Sequence, residues 1–210
     1  MPDHLILMAS YPEVGLSKAR FIPTLGHEGA ARLHRRLTEH TVAVARRWRA
    51  SGRSRRVFVA CDGATIGEFR AWLGDDLAYD QQPGGSLGAR LAIAMVRAFT
   101  RGADRLVLAG ADCPSLDAAQ LARAFFALDY TDCVIGPNHT GGYYLVGLVA
   151  PTPALFAGIP WGTGAVLSRT LATAHNENLR VGLLPALPVI GGPRDLIHAA
   201  ELLAPFPVPG

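Results

Sequence analysis

The sequence predicts an α/β protein: a single domain built on a mostly parallel sheet with helices on both faces. Three observations carry that prediction. Short apolar runs alternate with segments of helical periodicity along all 210 residues, the pattern left by strand–helix–strand units. The connections are short, and no linker, repeat or low-complexity segment divides the chain apart from a proline-rich tail at 204–210. Half of the residues are hydrophobic and 18% are charged, enough to bury one core at this length. The domain is therefore expected to span 1–210, with its core at about 5–200.

The elements follow in order. The run Leu5-Ile6-Leu7-Met8-Ala9 reads as a buried strand, and a loop rich in turn residues follows it to Gly26. Leu33, Leu37, Thr41, Val44 and Trp48 recur at helical spacing within 29–48. Residues 56–61 form the next strand, 65–73 a short helix and 77–79 a weak strand. The loop QQPGGSLG at 81–88 ends at a helix that runs to about Thr100. Residues 105–109 are the clearest strand, and Asp117 can cap a helix over 118–128. Strands flank the pair Gly141-Gly142. A helix beginning at Thr163 or Gly164 runs to His175, 181–190 is extended, and Pro193 opens a last helix.

Composition narrows the function. The formal charge is +3 with an isoelectric point near 9.0. The densest basic run, Arg46 to Arg56, falls at a helix end, where cations suit the dipole, and forms no nucleic-acid stripe. Cys61, Cys113 and Cys133 have no metal-binding spacing and lie in or just after apolar runs. They read as reduced, buried thiols of a cytoplasmic protein. The first apolar run is too short for a leader or a membrane span.

In open α/β sheets, ligands bind beyond the carboxyl ends of the strands. The loops after four strands carry Lys18 with Arg20, Gln82 with Gly85 and Gly88, Asp112, and the glycine pair. They converge on one edge. Lys18 and Arg20 suit phosphate oxygens, as a point charge beside a bidentate fork, although taken alone they also read as a solvated loop. Gln82 offers a donor and an acceptor to a nucleobase edge, and the glycines before the helix offer backbone N–H groups to an anion; an ordinary turn is the alternative. Asp112 could hold Mg²⁺ bridging to phosphate, or it could be a turn residue. His139 stands beside the glycines, whereas His34 and His40 fall on the long helix as structural or surface residues. No spacing gives a Ser-His-Asp or Cys-His arrangement, and nothing near Cys113 would activate its thiol.

Taken together, KAR at 18–20, QPGGSLGARL, GADCPSL, GPNHTGGYYLVGL, PWGTGAVLSRT and GPRDL resemble, in order and spacing, the radical-SAM/selenodomain-associated transferase family. That family is glycosyltransferase-like and similar to nucleotidyltransferases such as phospholactate guanylyltransferase. The resemblance covers about 5–196. It implies a GT-A-like nucleotide-diphospho-sugar transferase fold, a nucleotide or nucleotide-sugar substrate, a small-molecule acceptor, and Mg²⁺ or Mn²⁺. By position it implies Lys18 and Arg20 on the phosphates and Gln82, Gly85 and Gly88 against the nucleotide. Asp112 becomes the metal carboxylate. Gly141, Gly142 and Tyr143 become the acceptor wall, with Trp161 and Thr163 beside it and His139 and Thr140 at its rim.

The chain also departs from that pattern. Thr140 stands where the family has Asp before the glycines, and Ser86 where an acid is common. Val189-Ile190-Gly191-Gly192-Pro193 replaces Asp-Val-Asp-Thr-Pro, which removes the second metal carboxylate. Gly162 and Gly164 stand where serines are usual. Two expectations remain open from sequence: a glycosyl- or nucleotidyltransferase with an altered metal site, or a catalytically weakened or inactive member of the fold that binds a nucleotide or a partner.

Overall fold

The computed structural model describes residues 1–200; the proline-rich tail lies outside them. Seven strands form one sheet: β1 Asp3–Ser10, β2 Arg55–Asp62, β3 Ala78–Gln81, β4 Arg105–Gly110, β5 Cys133–Pro137, β6 Tyr143–Leu148 and β7 Val181–Leu183. Their order across the sheet is β3-β2-β1-β4-β6-β5-β7. All pairings are parallel except those of β6, which runs antiparallel to both β4 and β5.

Period-two alternation sorts the strand residues onto two apolar layers. Leu5, Leu7, Val57, Val59, Val107 and Ala109 face one core with Trp48, Phe69, Leu121 and Phe125. These come from α1 Ile22–Ala50, α2 Ile66–Leu73 and α4 Ala118–Ala127. Ile6, Phe58, Ala60, Leu106 and Leu108 face the other core, with Leu91, Met95 and Ala174 from α3 Leu87–Thr100 and α5 Val166–Asn176. Helices on both faces follow from strands that are apolar on both sides.

The elements keep to the predicted order, with three differences. The loop after β1 is not irregular to Gly26: a 3-10 turn at Ala19–Phe21 leads into α1, which starts at Ile22 and is broken at Gly26 (φ 71°). Pro23 is compatible with that start because its missing N–H falls where no intrahelical partner exists. The extended segment expected over 181–190 is a three-residue strand followed by a strap. Its Leu184, Leu187 and Ile190 amides donate to the carbonyls of Ile135, Pro137 and Asp112 in turn. The final helix is a 3-10 helix, Pro193–Ala199. Asp117 caps α4 as expected, accepting from the Gln120 amide at 2.6 Å.

The basic run at the end of α1 is a set of staples. Arg46 and Arg49 both pair with Asp76, and Arg55 lies over the Trp48 ring at 4.9 Å. His34 and His40 meet the Ser10 and Leu116 carbonyls through Nε2, which makes them structural.

Candidate functional site

The chain leaves β1 for β2 and β3 on one side, then returns to place β4 on the other side of β1. That reversal opens a crevice beyond the carboxyl ends of β1 and β4, the place where such sheets bind ligands. Lys18 follows β1 and Asp112 follows β4. The glycine pair reaches the same edge because β6 is antiparallel: its first residues lie level with the last residues of β4, Ala109 pairing with Leu145.

Lys18 and Asp112 meet. Lys18 Nζ lies 2.8 Å from Asp112 Oδ1 and donates to the Ile190 carbonyl at 2.8 Å. The Lys18 side chain is 11% exposed and that of Asp112 52%. The lysine is therefore a clamped cation, in contrast to the mobile charge of a flexible loop that sequence suggests. Its backbone is left-handed (φ 52°, ψ 43°), an unusual state for a side chain with a Cβ. Beneath it, Phe21, Leu33, Leu37, Ile190 and Ala199 form a separate apolar cluster that fixes both the loop and the strap. Arg20 is exposed and has no hydrogen-bond or ion-pair partner among the described residues.

Gln82 is placed differently from its expected role. Its amide nitrogen donates to the Ala9 and Ala60 carbonyls at 3.3 and 2.7 Å, near the ends of β1 and β2. Only its Oε1 remains for a ligand, so it cannot present both donor and acceptor to a base. Gly84 and Gly85 are exposed, and Gly85 has φ 110°. Ser86, which stands where the resemblance has an acid, caps α3 by accepting from the Ala89 amide. Gly88 lies inside α3 and is buried. A Cβ there would meet the Phe156 carbonyl oxygen at 2.2 Å and Trp161 Nε1 at 2.9 Å, so helix packing accounts for this glycine.

The glycine turn is held by Asn138. Its Oδ1 accepts from the Thr140 amide and hydroxyl, both at 3.0 Å, and from the Gly142 amide at 2.8 Å. Gly141 has φ 82°, and a Cβ on it would meet the Gly164 carbonyl oxygen at 2.2 Å. The Gly141 carbonyl in turn accepts from the Leu167 amide. The turn thus packs against the start of α5, leaving His139 and Thr140 exposed at its tip. Thr163 is also exposed and donates to the Pro160 carbonyl at 2.8 Å. Tyr143 and Trp161 meet edge to face at 6.0 Å. With Met8, Leu87, Leu91 and Gly110 they line an apolar cavity of about 120 Å³. Burial pushes the Tyr143 phenol well above its ordinary pKa. Its oxygen makes no hydrogen bond among the described residues.

Three participants escape sequence reasoning. The Ile190 carbonyl is a backbone group on a distant strap, with no signal in its residue type. Asp62 at the end of β2 pairs with Arg90 at 2.6 Å, and Arg90 also donates to the Gly85 carbonyl. A cation in the first turn of a helix is unfavourable beside the dipole, and that was a readable sign of an acidic partner. Asn138, two residues before Thr140, was readable as an Asx turn.

The cysteines are buried. Burial pushes each thiol up to about 12, which leaves no nucleophile among them at neutral pH. Among the described residues no group of three or more His, Cys, Asp or Glu side chains could hold a metal ion, and no helix is long and apolar enough to cross a membrane.

Comparison with known proteins agrees with this fold. A structure from Desulfovibrio desulfuricans G20, provisionally identified as a nucleotide-diphospho-sugar transferase, is 29% identical to this chain. The match covers 98% of this chain and 90% of the other, with a TM-score of 0.87. A nucleotidyl transferase from Methanothermobacter is 20% identical over 96% and 98% of the two chains (TM-score 0.64). A manganese complex of Rv0371c from Mycobacterium tuberculosis H37Rv is 18% identical over 98% and 100% (TM-score 0.54). The last two likenesses concern the fold, a nucleotide-diphospho-sugar transferase (GT-A-like) α/β fold. No curated protein matches the chain in sequence. The family model for DUF2064, "Uncharacterized protein conserved in bacteria", matches residues 41–163, from α1 through β6 to Thr163, and the chain belongs to that family.

Proposed function

We propose that the protein is a transferase acting on a nucleoside-phosphate substrate. The reaction is glycosyl transfer from a nucleotide sugar, or nucleotidyl transfer to a sugar phosphate or similar acceptor. The observation that carries this reading is the meeting of Lys18 and Asp112 at 2.8 Å, in the crevice where the strand order reverses. The names of the similar structures, a nucleotide-diphospho-sugar transferase and a nucleotidyl transferase, support the same class, as does the resemblance to the radical-SAM/selenodomain-associated transferases.

In this reading the third N–H of Lys18 and the exposed guanidinium of Arg20 take phosphate oxygens and stabilise charge on the leaving group. Gln82 Oε1 and the open Gly84-Gly85 backbone face the nucleoside. The turn carrying His139, Thr140, Gly141 and Gly142, with Tyr143, Trp161 and Thr163, forms the acceptor side. The small apolar cavity beside Trp161 accepts an uncharged part of that acceptor. Asp112 orients Lys18.

A divalent cation, which the resemblance implies, does not fit the residues present. Asp112 already spends one oxygen on an ammonium. Gly191 brings no carboxylate, and Asp195 is taken up by the Gly191 and Gly192 amides at 2.9 and 2.8 Å. One observation favours the second reading, a nucleotide-binding protein without catalysis: Thr140 and Ser86, at positions of lost acids, use their hydroxyls in a turn and a helix cap.

Calorimetric titration with nucleoside di- and triphosphates and nucleotide sugars tests the proposal, with Mg²⁺, with Mn²⁺ and with chelator. One nucleotide should bind, and Arg20→Ala should weaken it by about 10-fold, the order expected for a charge-assisted phosphate contact. Turnover of that nucleotide with a panel of sugar phosphates and alcohols separates the enzyme from the inert binder. Failure of every nucleotide to bind overturns both readings.

A further inference from the structure

We infer that Lys18 is the resident cation of this site. Its ammonium holds the place on Asp112 that a divalent metal would otherwise take, so phosphate binding needs no metal. The second clause rests on the nucleotide reading above; the first does not.

The geometry around Nζ is that of a cation cage. A carboxylate oxygen and a backbone carbonyl oxygen each lie at 2.8 Å, the hard oxygen donors that metal ions of this class use. The Phe21 ring lies 5.9 Å from the ammonium, within the range of attraction to a ring face. The cage is closed on itself, because the Ile190 amide donates to the Asp112 carbonyl at 2.8 Å and Ile190 is fully buried.

The backbone at Lys18 shows that the side chain is held there against a local cost. A left-handed residue with a Cβ is disfavoured, and such residues persist only where surrounding structure over-determines them. Glycine would relax the turn, yet the position carries a lysine whose stem is buried.

The charge balance points the same way. Lys18 neutralises Asp112, and among the described residues no further acidic cluster stands ready for a dication. A metal approaching Asp112 would have to displace the ammonium or sit against a like charge. Divalent affinity rises with the number of charged ligands, and here that number is one, already matched.

Mn²⁺ alone, followed by its electron paramagnetic resonance signal and by water-proton relaxation at low ionic strength, tests the assignment without any nucleotide. Wild-type protein should bind Mn²⁺ weakly. Lys18→Met should bind it at least about 10-fold more tightly, since Asp112 is released, and Lys18→Met with Asp112→Asn should lose that gain. Lys18→Gly, which suits the left-handed backbone, replaces Lys18→Met if the latter fails to fold by circular dichroism. Wild-type binding as tight as that of the folded variant, or no gain in the variant, overturns the inference. In a second arm, CTP and GTP are titrated into the same proteins. Wild-type binding that ignores chelator, and Lys18→Met binding that requires Mn²⁺, support the metal-free site. Wild-type binding abolished by chelator overturns it. Absence of any nucleotide binding, with the Mn²⁺ gain intact, overturns the nucleotide reading and leaves Lys18 assigned as the resident cation.

Discussion

Alanine at Gly141 tests whether the glycine turn is fixed by packing. Its φ is 82°, and a Cβ would sit 2.2 Å from the Gly164 carbonyl oxygen, 2.8 Å from the Gly164 carbonyl carbon and 2.9 Å from its Cα. All three contacts are backbone, so no flexible side chain can yield. The left-handed conformation costs a Cβ-bearing residue roughly 1–2 kcal/mol, and forced overpacking typically adds about 1–3 kcal/mol. Gly158→Ala is the internal control. Its φ is 64°, but a Cβ there would meet nothing within 4 Å, so only the backbone cost of roughly 1–2 kcal/mol applies. With a urea slope of about 2 kcal/mol per M, Gly141→Ala should lower the unfolding midpoint by about 1–2.5 M and Gly158→Ala by about 0.5–1 M. Urea titration followed by circular dichroism reads both. Equal shifts would refute the claim that contact with the start of α5, and not turn conformation alone, makes glycine necessary here.

Acid stability should depend on Asp76. The hydrogen bond from Arg46, aided by Arg49, holds its carboxyl down to about 2. A depressed carboxyl stabilises the fold above its unfolded pKa of about 4 and loses that contribution as pH falls towards about 2. The melting-temperature gap between wild type and Asp76→Asn should therefore be full at pH 7 and close below about pH 4. It should also narrow in high salt, since the carboxylate is 44% exposed and screened; a gap constant with pH would contradict the pairing. The three thiols should be silent to a disulfide reagent in the native protein and react together on unfolding, because all are buried and none is activated. Fast native labelling of any one would show that its layer opens.

Much of the fold was legible because hydrophobic periodicity is local. The runs at β1, β2 and β4 alternate between two apolar cores, and residue type alone sets that alternation. The Asp117 cap and the Thr65 cap of α2, whose hydroxyl accepts from the Glu68 amide, are likewise written in a few adjacent residues. The sequence reads 181–190 only as extended; that β7 ends at Leu183 and the rest becomes a strap is not legible, because the strap's hydrogen bonds go to carbonyls on β5 and in the loop after β4.

The sequence by itself determined the strand and helix alternation, the chain's apolar core residues, and the edge where Lys18, Asp112 and the glycine pair would gather. These follow from side-chain polarity at fixed periods and from the rule that parallel strands end on one side. Only the tertiary structure decided what those residues do to one another. It turned Lys18 from a loop cation into the partner of Asp112 and Ile190, and spent both Gln82 amide hydrogens on strand carbonyls. It set Gly88 against Trp161 and Gly141 against Gly164. Each outcome depends on which groups from distant segments arrive side by side at the crevice, and that is a property of the assembled sheet.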